Sequence, residues 1–110
     1  MINGEVREID RKERDRAVGL LLYLFRERSG MRQKALAEKV GFPASYISML
    51  ENGNRKISIS MIHKLVEVLS LRMREKEMLM KAAGYSGFTF ETYWMIQDIL
   101  HGTLIFAKSF

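Results

Sequence analysis

The amino-acid sequence predicts an all-α fold, in which a domain of five helices is followed by an apolar C-terminal helix. Apolar residues recur at the spacing of amphipathic helices through most of the chain, and no segment shows the strict alternation of a strand. Glycines fall where the periodic segments stop, which is typical of helix ends. The length of 110 residues suits one compact core.

Helix 1 is predicted over about residues 15–28. Residues 1–16, which hold five basic and five acidic side chains, are predicted to form a charged N-terminal arm or an extension of this helix. Gly30 would end the helix. Four apolar residues at helical spacing would face the core, namely Val18, Leu21, Leu22 and Phe25.

Two short helices follow around a glycine turn. Helix 2 fits residues 33–39 and stops at Gly41, since glycine accepts a left-handed backbone. Pro43 then opens helix 3 over residues 44–52, because proline is tolerated in a first turn. Gly53 would end helix 3. The predicted core residues of this pair are Leu36, Ala37, Val40, Ile47 and Leu50.

Helices 4 and 5 complete the predicted domain of residues 17–84. Ser58 is the expected N-cap of helix 4, which covers about residues 59–69. Helix 5 covers about residues 72–83 and ends at Gly84. The core side of helix 4 is predicted to hold Ile62, Leu65, Val66 and Leu69.

The C-terminal segment, residues 85–110, contains seven of the eleven aromatic residues. Helix 6 is predicted over about residues 90–107, with Thr89 as its cap and a weak point at His101 and Gly102. It is apolar on more than one face, so it must bury against its own domain, a second copy or another protein. The candidate residues for a dimer or partner interface are Tyr93, Trp94, Ile96, Leu100 and Leu104.

The formal net charge of +5 is unevenly distributed. Residues 17–58 contain seven basic and three acidic side chains, whereas residues 85–110 contain one and two. The basic surplus therefore surrounds the pair of short helices, where a polyanion would dock.

The composition argues against several kinds of site. Without cysteine there is no disulfide and no thiolate zinc site. His63 and His101 lie far apart in sequence, whereas a metal needs three or four convergent ligands. The sequence has no nucleophile-elbow or phosphate-loop motif, so we expect no enzyme, metal or cofactor. The longest apolar run, residues 17–25, is too short to span a bilayer, and we expect a cytoplasmic protein.

The two short helices carry a motif that resembles a known family. The matching residues are Gly19, Leu22, Phe25, Arg26, Gly30, Met31, Gln33, Leu36, Ala37, Val40, Gly41, the run "YISMLENG" from Tyr46 to Gly53, Arg55, Ser58, Ile62 and Leu65. In this order they resemble the helix-turn-helix of phage Cro and repressor proteins, the Xre type, over about residues 17–84. The resemblance implies a five-helix, repressor-like domain whose helix 3 enters the major groove of DNA.

The resemblance also implies roles for individual residues. The base-facing positions are Ala44, Ser45, Tyr46 and Met49. The phosphate-binding positions are Gln33, Asn52, Asn54, Arg55 and Lys56. Arg26 and Glu51 match an ion pair that ties helix 1 to helix 3, which is a structural role.

The sequence departs from the family at two places. Arg32 occupies the usual position of a Ser or Thr cap for helix 2, so a cap is lost and a phosphate-binding cation is gained. The base-facing set lacks Arg, Asn and Gln, which make the bidentate bonds that discriminate purines. We therefore expect modest direct readout, with specificity drawn from apolar contacts, water and DNA shape.

These features predict a DNA-binding transcriptional regulator, most simply a homodimeric repressor that binds double-stranded DNA. One alternative is an antitoxin, which would use the same domain on its own promoter and present the apolar segment 85–110 to a toxin. A second alternative is a protein-interaction module that kept the fold without DNA binding. The weak base-reading set favours this module, whereas the basic surplus argues against it.

Overall fold

The computed structural model describes residues 10–87 and 90–102 of the chain, and this part is all-helical, as predicted. It contains no strand. The packing places α1 at the centre, in contact with α3, α5 and α6, while α2 lies against α3 and α4. In chain order the helices are α1 (Arg11–Arg28), α2 (Gln33–Val40), α3 (Ala44–Glu51), α4 (Ile59–Val68), α5 (Met73–Ala82) and α6 (Phe90–Leu100).

Helix α1 begins earlier than the sequence predicts. Its N-cap is Asp10, whose carboxylate accepts a hydrogen bond from the backbone N–H of Glu13 at 2.9 Å. Residues 11–16 are therefore helical, and residues 1–9 of the predicted arm lie outside the described residues. The four predicted core residues of this helix are all buried, and Ala17 joins them.

One glycine allows α1 to touch α3. A Cβ atom on Gly19 would collide with the backbone carbonyls of Leu50 and Glu51 at the end of α3. The absence of a side chain at this position lets the two helices approach at backbone distance. This contact sets the distance between α1 and the end of α3.

The turn between α2 and α3 is closed by backbone hydrogen bonds. Gly41 has a left-handed backbone, with φ of 81°. The N–H groups of Gly41 and Phe42 both donate to the carbonyl of Ala37, at 2.8 and 3.0 Å. Pro43 then precedes α3, and its fixed φ of −64° suits the entry to a helix.

Side-chain hydrogen bonds cap the N-terminal ends of α4 and α5. The hydroxyl of Ser58 accepts a hydrogen bond from the backbone N–H of Met61 at 3.0 Å, which confirms the predicted cap. At the start of α5, the carboxylate of Glu75 accepts from the backbone N–H of Arg72 at 2.9 Å. The core side of α4 is as predicted for Ile62, Leu65 and Leu69, whereas Val66 is half-buried.

Helix α6 packs within its own chain. It ends at Leu100, and the predicted weak point at His101 and Gly102 is a turn, in which Gly102 has a left-handed backbone with φ of 71°. Residues 103–107 of the predicted helix lie outside the described residues. Tyr93, Ile96 and Ile99 are buried in the core shared with α1 and α5. The predicted cap, Thr89, lies outside the described residues.

Candidate nucleic-acid interface

Helix α3 presents one face to the core and the other to solvent. Ile47 and Leu50 are fully buried. Ala44, Ser45 and Met49, which the resemblance placed opposite base edges, are exposed. Tyr46 is half-buried and packs against the rim of the core. The structure therefore brings three of the four predicted base-facing side chains to the outer surface of α3, with Tyr46 at their edge.

The outward face of α3 is poor in hydrogen-bonding groups. Its predicted base-facing side chains offer only the hydroxyls of Ser45 and Tyr46, the thioether of Met49 and a methyl group. The side-chain amide of Asn52, just after the helix, donates to the hydroxyl of Ser48 at 3.4 Å. This face can form single hydrogen bonds and apolar contacts. It lacks a side chain that could form the bidentate hydrogen bonds by which one purine is distinguished from another.

A buried ion pair fixes α3 against the rest of the motif. Nε of Arg26 donates to the carboxylate of Glu51 at 2.6 Å, and Nη2 donates to it at 3.1 Å. Nη1 of Arg26 donates to the carbonyl of Met31 at 2.7 Å. The hydrogen bond to Glu51 raises the pKa of Arg26, although burial opposes this shift. These contacts join α1, the α1–α2 loop and α3.

Gln33, a predicted phosphate ligand, also belongs to this network. Its side-chain amide donates to the Glu51 carboxylate at 2.9 Å. An amide nitrogen carries two hydrogens, and the bond to Glu51 uses one of them. Gln33 is half-buried at the first position of α2, so its amide is oriented by Glu51 before any ligand arrives.

The N-terminus of α2 has no side-chain cap. Arg32 occupies the cap position, makes no capping hydrogen bond and is exposed. Beside it lies an open groove of about 400 Å³, which Arg32 and Lys34 line together with Glu38. Uncapped backbone N–H groups and nearby cations are the features that bind a phosphate at a helix start. Lys34 was not among the residues predicted from the sequence.

The loop after α3 presents all four of its predicted phosphate ligands to solvent. These exposed residues are Asn52, Asn54, Arg55 and Lys56. The backbone N–H of Asn54 donates to the carbonyl of Met49 at 2.9 Å, which holds the loop close to α3. The guanidinium of Arg55 lies 5.2 Å from the ring centroid of Tyr46, a cation–π contact. This contact directs Arg55 toward the α3 face.

Although Lys56 is exposed, its ammonium contacts other residues of the same chain. Its ammonium donates to the carbonyl of Ala83 at 3.1 Å and lies 4.4 Å from the ring centroid of Tyr85. The hydroxyl of Tyr85 in turn donates to the carbonyl of Ile57 at 2.7 Å. Lys56 thus ties the loop after α3 to the C-terminal end of α5, and a phosphate would have to compete with the Ala83 carbonyl for it.

Two residues beside α3, Phe42 and Lys64, were not among the site residues predicted from the sequence. The ring of Phe42, in the turn before α3, stacks on Tyr46 with centroids 4.6 Å apart. The ammonium of Lys64, on α4, lies 5.2 Å from the Phe42 centroid. Phe42 could have been singled out in the sequence, because it is an aromatic residue between a turn glycine and a proline. Lys64 had no local signal, because its partner is 22 positions away in the sequence.

The predicted interface residues of α6 fall into separate groups. Tyr93 and Ile96 are buried within the chain, and Leu100 is half-buried against the core. Trp94 is 53% exposed, and its ring makes a T-shaped contact with the ring of Tyr93, with centroids 5.1 Å apart. Leu104 lies outside the described residues. Of the four predicted interface residues that the structure describes, only Trp94 is mostly exposed.

Residues 10–87 and 90–102 lack two particular features, a cluster of metal ligands and a membrane-spanning helix. This part of the chain has no group of three acidic or histidine side chains placed to hold a metal ion. None of its helices combines the length and the apolar character needed to cross a bilayer.

Comparison with known proteins agrees with this geometry. The sequence model of the helix-turn-helix family matches residues 22–76, which is half of the chain and includes α2, the turn and α3. No curated protein matches the chain. The match, together with the buried pair of Arg26 and Glu51 and the outward face of α3, assigns the chain to the Cro and repressor (Xre-like) type of the DNA-binding helix-turn-helix family.

Proposed function

We propose that this protein is a transcriptional regulator that binds double-stranded DNA as a homodimer and represses the promoter it occupies. The observation that carries the proposal is the orientation of α3. Ile47 and Leu50 anchor this helix in the core, while Ala44, Ser45 and Met49 face outward. A short helix held across such a turn is the element that enters the major groove in helix-turn-helix proteins.

Cations near both ends of this surface would supply most of the affinity. Arg32 lies at the uncapped start of α2, and Arg55 lies in the loop after α3. Gln33 is oriented by Glu51, and its second amide hydrogen remains available for a phosphate oxygen. Contacts of this kind fix the register of a protein on the duplex, and they make binding strongly dependent on salt.

Dimerisation would compensate for weak readout by each copy. Two linked half-site contacts gain effective concentration, so modest single contacts add up to useful specificity. Trp94, an apolar side chain of α6 that is 53% exposed, supports this proposal. Repression then requires only that the dimer occupies a promoter.

The first experiment is a salt titration of binding to a selected duplex and to random DNA, with the mass of the protein measured by light scattering. We expect a preference of about a thousandfold for the selected duplex, with a steep salt dependence. The mass should correspond to two copies, and Trp94→Ala should reduce it to one. Equal binding to all sequences, or none, would favour the interaction module.

A matched pair of charge reversals separates local contact from net charge. Arg55→Glu should weaken binding to the selected duplex by at least about tenfold, because it removes a phosphate contact and adds repulsion. Arg74→Glu changes the net charge equally at an exposed position on α5 and should have a much smaller effect. Similar losses in both variants would argue against a specific role for Arg55.

A further inference from the structure

The turn before α3 exposes the ring of Phe42, which takes no part in the DNA contacts proposed above. Phe42 is 37% exposed, although large apolar side chains are usually buried. Its backbone is fixed by the hydrogen bond to the carbonyl of Ala37, and its ring is fixed by stacking on Tyr46 with an angle of 24° between the planes. The ring is therefore held in place while part of its surface remains open to a ligand.

Cations flank this aromatic pair on both sides. Lys64 contacts the ring of Phe42, and Arg55 contacts the ring of Tyr46, each at 5.2 Å from the ring centroid. We call the series Lys64, Phe42, Tyr46 and Arg55 the cation–aromatic stack. Lysine is depleted in the apolar core of protein–protein interfaces. A DNA groove, in contrast, places bases next to phosphates, which lysine and arginine neutralise. The charges therefore favour DNA as the partner of this surface.

The chemistry of the neighbouring side chains narrows the choice of base. Phe42 and Met49, which is 36% exposed, present carbon and sulfur to solvent, and Ala44 presents a methyl group. None of them offers the paired hydrogen bonds that recognise guanine or adenine. The apolar group that a base pair exposes in the major groove is the 5-methyl group of thymine, and 5-methylcytosine carries the same group.

We propose that Phe42 is a specificity-determining residue and that, with Tyr46 and Met49, it contacts the 5-methyl groups of pyrimidines. The surface would then select thymine or 5-methylcytosine at the contacted position and would leave purine edges unread. This inference rests on the proposed function, because it requires α3 to lie in the major groove. It adds a residue from the turn to the base-facing set and names the chemical group that the set recognises.

The test removes methyl groups one at a time. Each thymine of the selected duplex is replaced by uracil, which lacks only the 5-methyl group, and binding is measured at one salt concentration. Burial of one methyl group predicts that uracil weakens wild-type binding about fourfold at a contacted position. At the position that Phe42 contacts, Phe42→Ala should bind the thymine and uracil duplexes equally well. Replacing the same thymine by 5-methylcytosine should retain more affinity than replacing it by cytosine.

Two further variants keep the result interpretable. Phe42→Leu retains a smaller apolar side chain, so it should keep part of the uracil penalty. This variant provides the test if Phe42→Ala does not fold. Met73→Ala removes a side chain that is 72% exposed on α5 and should keep the whole penalty.

The outcomes separate this inference from the proposed function. If the protein prefers a selected duplex but no uracil substitution weakens binding, the inference is wrong and the proposed function stands. The same holds if the penalty is unchanged in both Phe42 variants, or if the selected half-sites contain no thymine. If selection yields no preferred duplex, both the inference and sequence-specific regulation are wrong.

Discussion

The carboxylate of Glu75 is bound by the guanidinium of Arg28, with oxygen–nitrogen distances of 2.6 and 3.1 Å. The two residues lie 47 positions apart and join the end of α1 to the start of α5. Glu75 is only 1% exposed. Burial by itself would raise the pKa of Glu75, but the hydrogen bonds from Arg28 and from the backbone of Arg72 outweigh it, so the pKa lies below its ordinary value of 4.5.

Stability should fall in acid because of this pair. A carboxyl group whose pKa is lower in the folded state stabilises the fold above its unfolded pKa, and this contribution is lost as the pH falls through the folded pKa. Glu75→Gln removes the charge and should lower the free energy of unfolding at pH 7 by about 3 kcal/mol. The difference from wild type should shrink below about pH 4.5. Urea denaturation between pH 7 and pH 3 measures it.

A neighbouring carboxylate provides the control for this experiment. Glu77→Gln, at an exposed position of α5, should change the free energy of unfolding by less than about 0.5 kcal/mol. A destabilisation by Glu75→Gln that is the same at every pH would mean that the loss comes from packing and not from the charge of Glu75.

Removing Glu51 should be among the most damaging single changes. Its carboxylate accepts hydrogen bonds from Arg26 and Gln33, and the side chains of Arg26 and Glu51 are only 7% and 6% exposed. Glu51→Ala would leave a buried guanidinium without its carboxylate, so we expect a loss of about 3–5 kcal/mol in chemical denaturation. Glu91→Ala breaks an exposed contact with Lys81 at 3.9 Å and should cost less than about 1 kcal/mol. Comparable losses in the two variants would contradict this account.

Gly19→Ala should destabilise the protein although alanine favours helix. Helix propensity predicts a gain of about 1 kcal/mol at this position. The new methyl group would collide with the backbone of α3, and such overpacking typically costs about 1–3 kcal/mol. We therefore expect a lower melting temperature. Gly87→Ala, where the added Cβ meets open space, should leave the melting temperature close to that of wild type.

Adjacent cations in the loop after α3 should have different effects. Lys56→Ala removes the hydrogen bond to Ala83 and should lower the free energy of unfolding by about 0.5–1.5 kcal/mol. Arg55→Ala should reduce the slope of log affinity against log salt by about 1 while preserving stability. Parallel unfolding and DNA titrations of the two variants measure both quantities. A larger change of slope for Lys56→Ala would show that Lys56 leaves Ala83 to bind phosphate.

The sequence by itself determined the helices and much of the candidate interface, because these depend on local rules. Ser58 caps α4 and Gly41 ends α2 through bonds to residues within four positions, so their signals are visible in short segments. The outward position of Ala44, Ser45 and Met49 follows from the periodicity of α3, since Ile47 and Leu50 mark its buried face. Periodicity does not mark the end of α6 at Leu100, because the apolar pattern of the sequence continues beyond the left-handed turn at Gly102.

Only the tertiary structure decided which distant side chains meet. The pair of Arg28 and Glu75, the bond from Lys56 to Ala83 and the stack that includes Phe42 and Lys64 join residues that are 22 to 47 positions apart. Such contacts depend on how the helices cross, which no local pattern encodes. The same packing buries Tyr93 and Ile96 inside the chain, because α1 and α5 together offer the apolar surface that α6 needs.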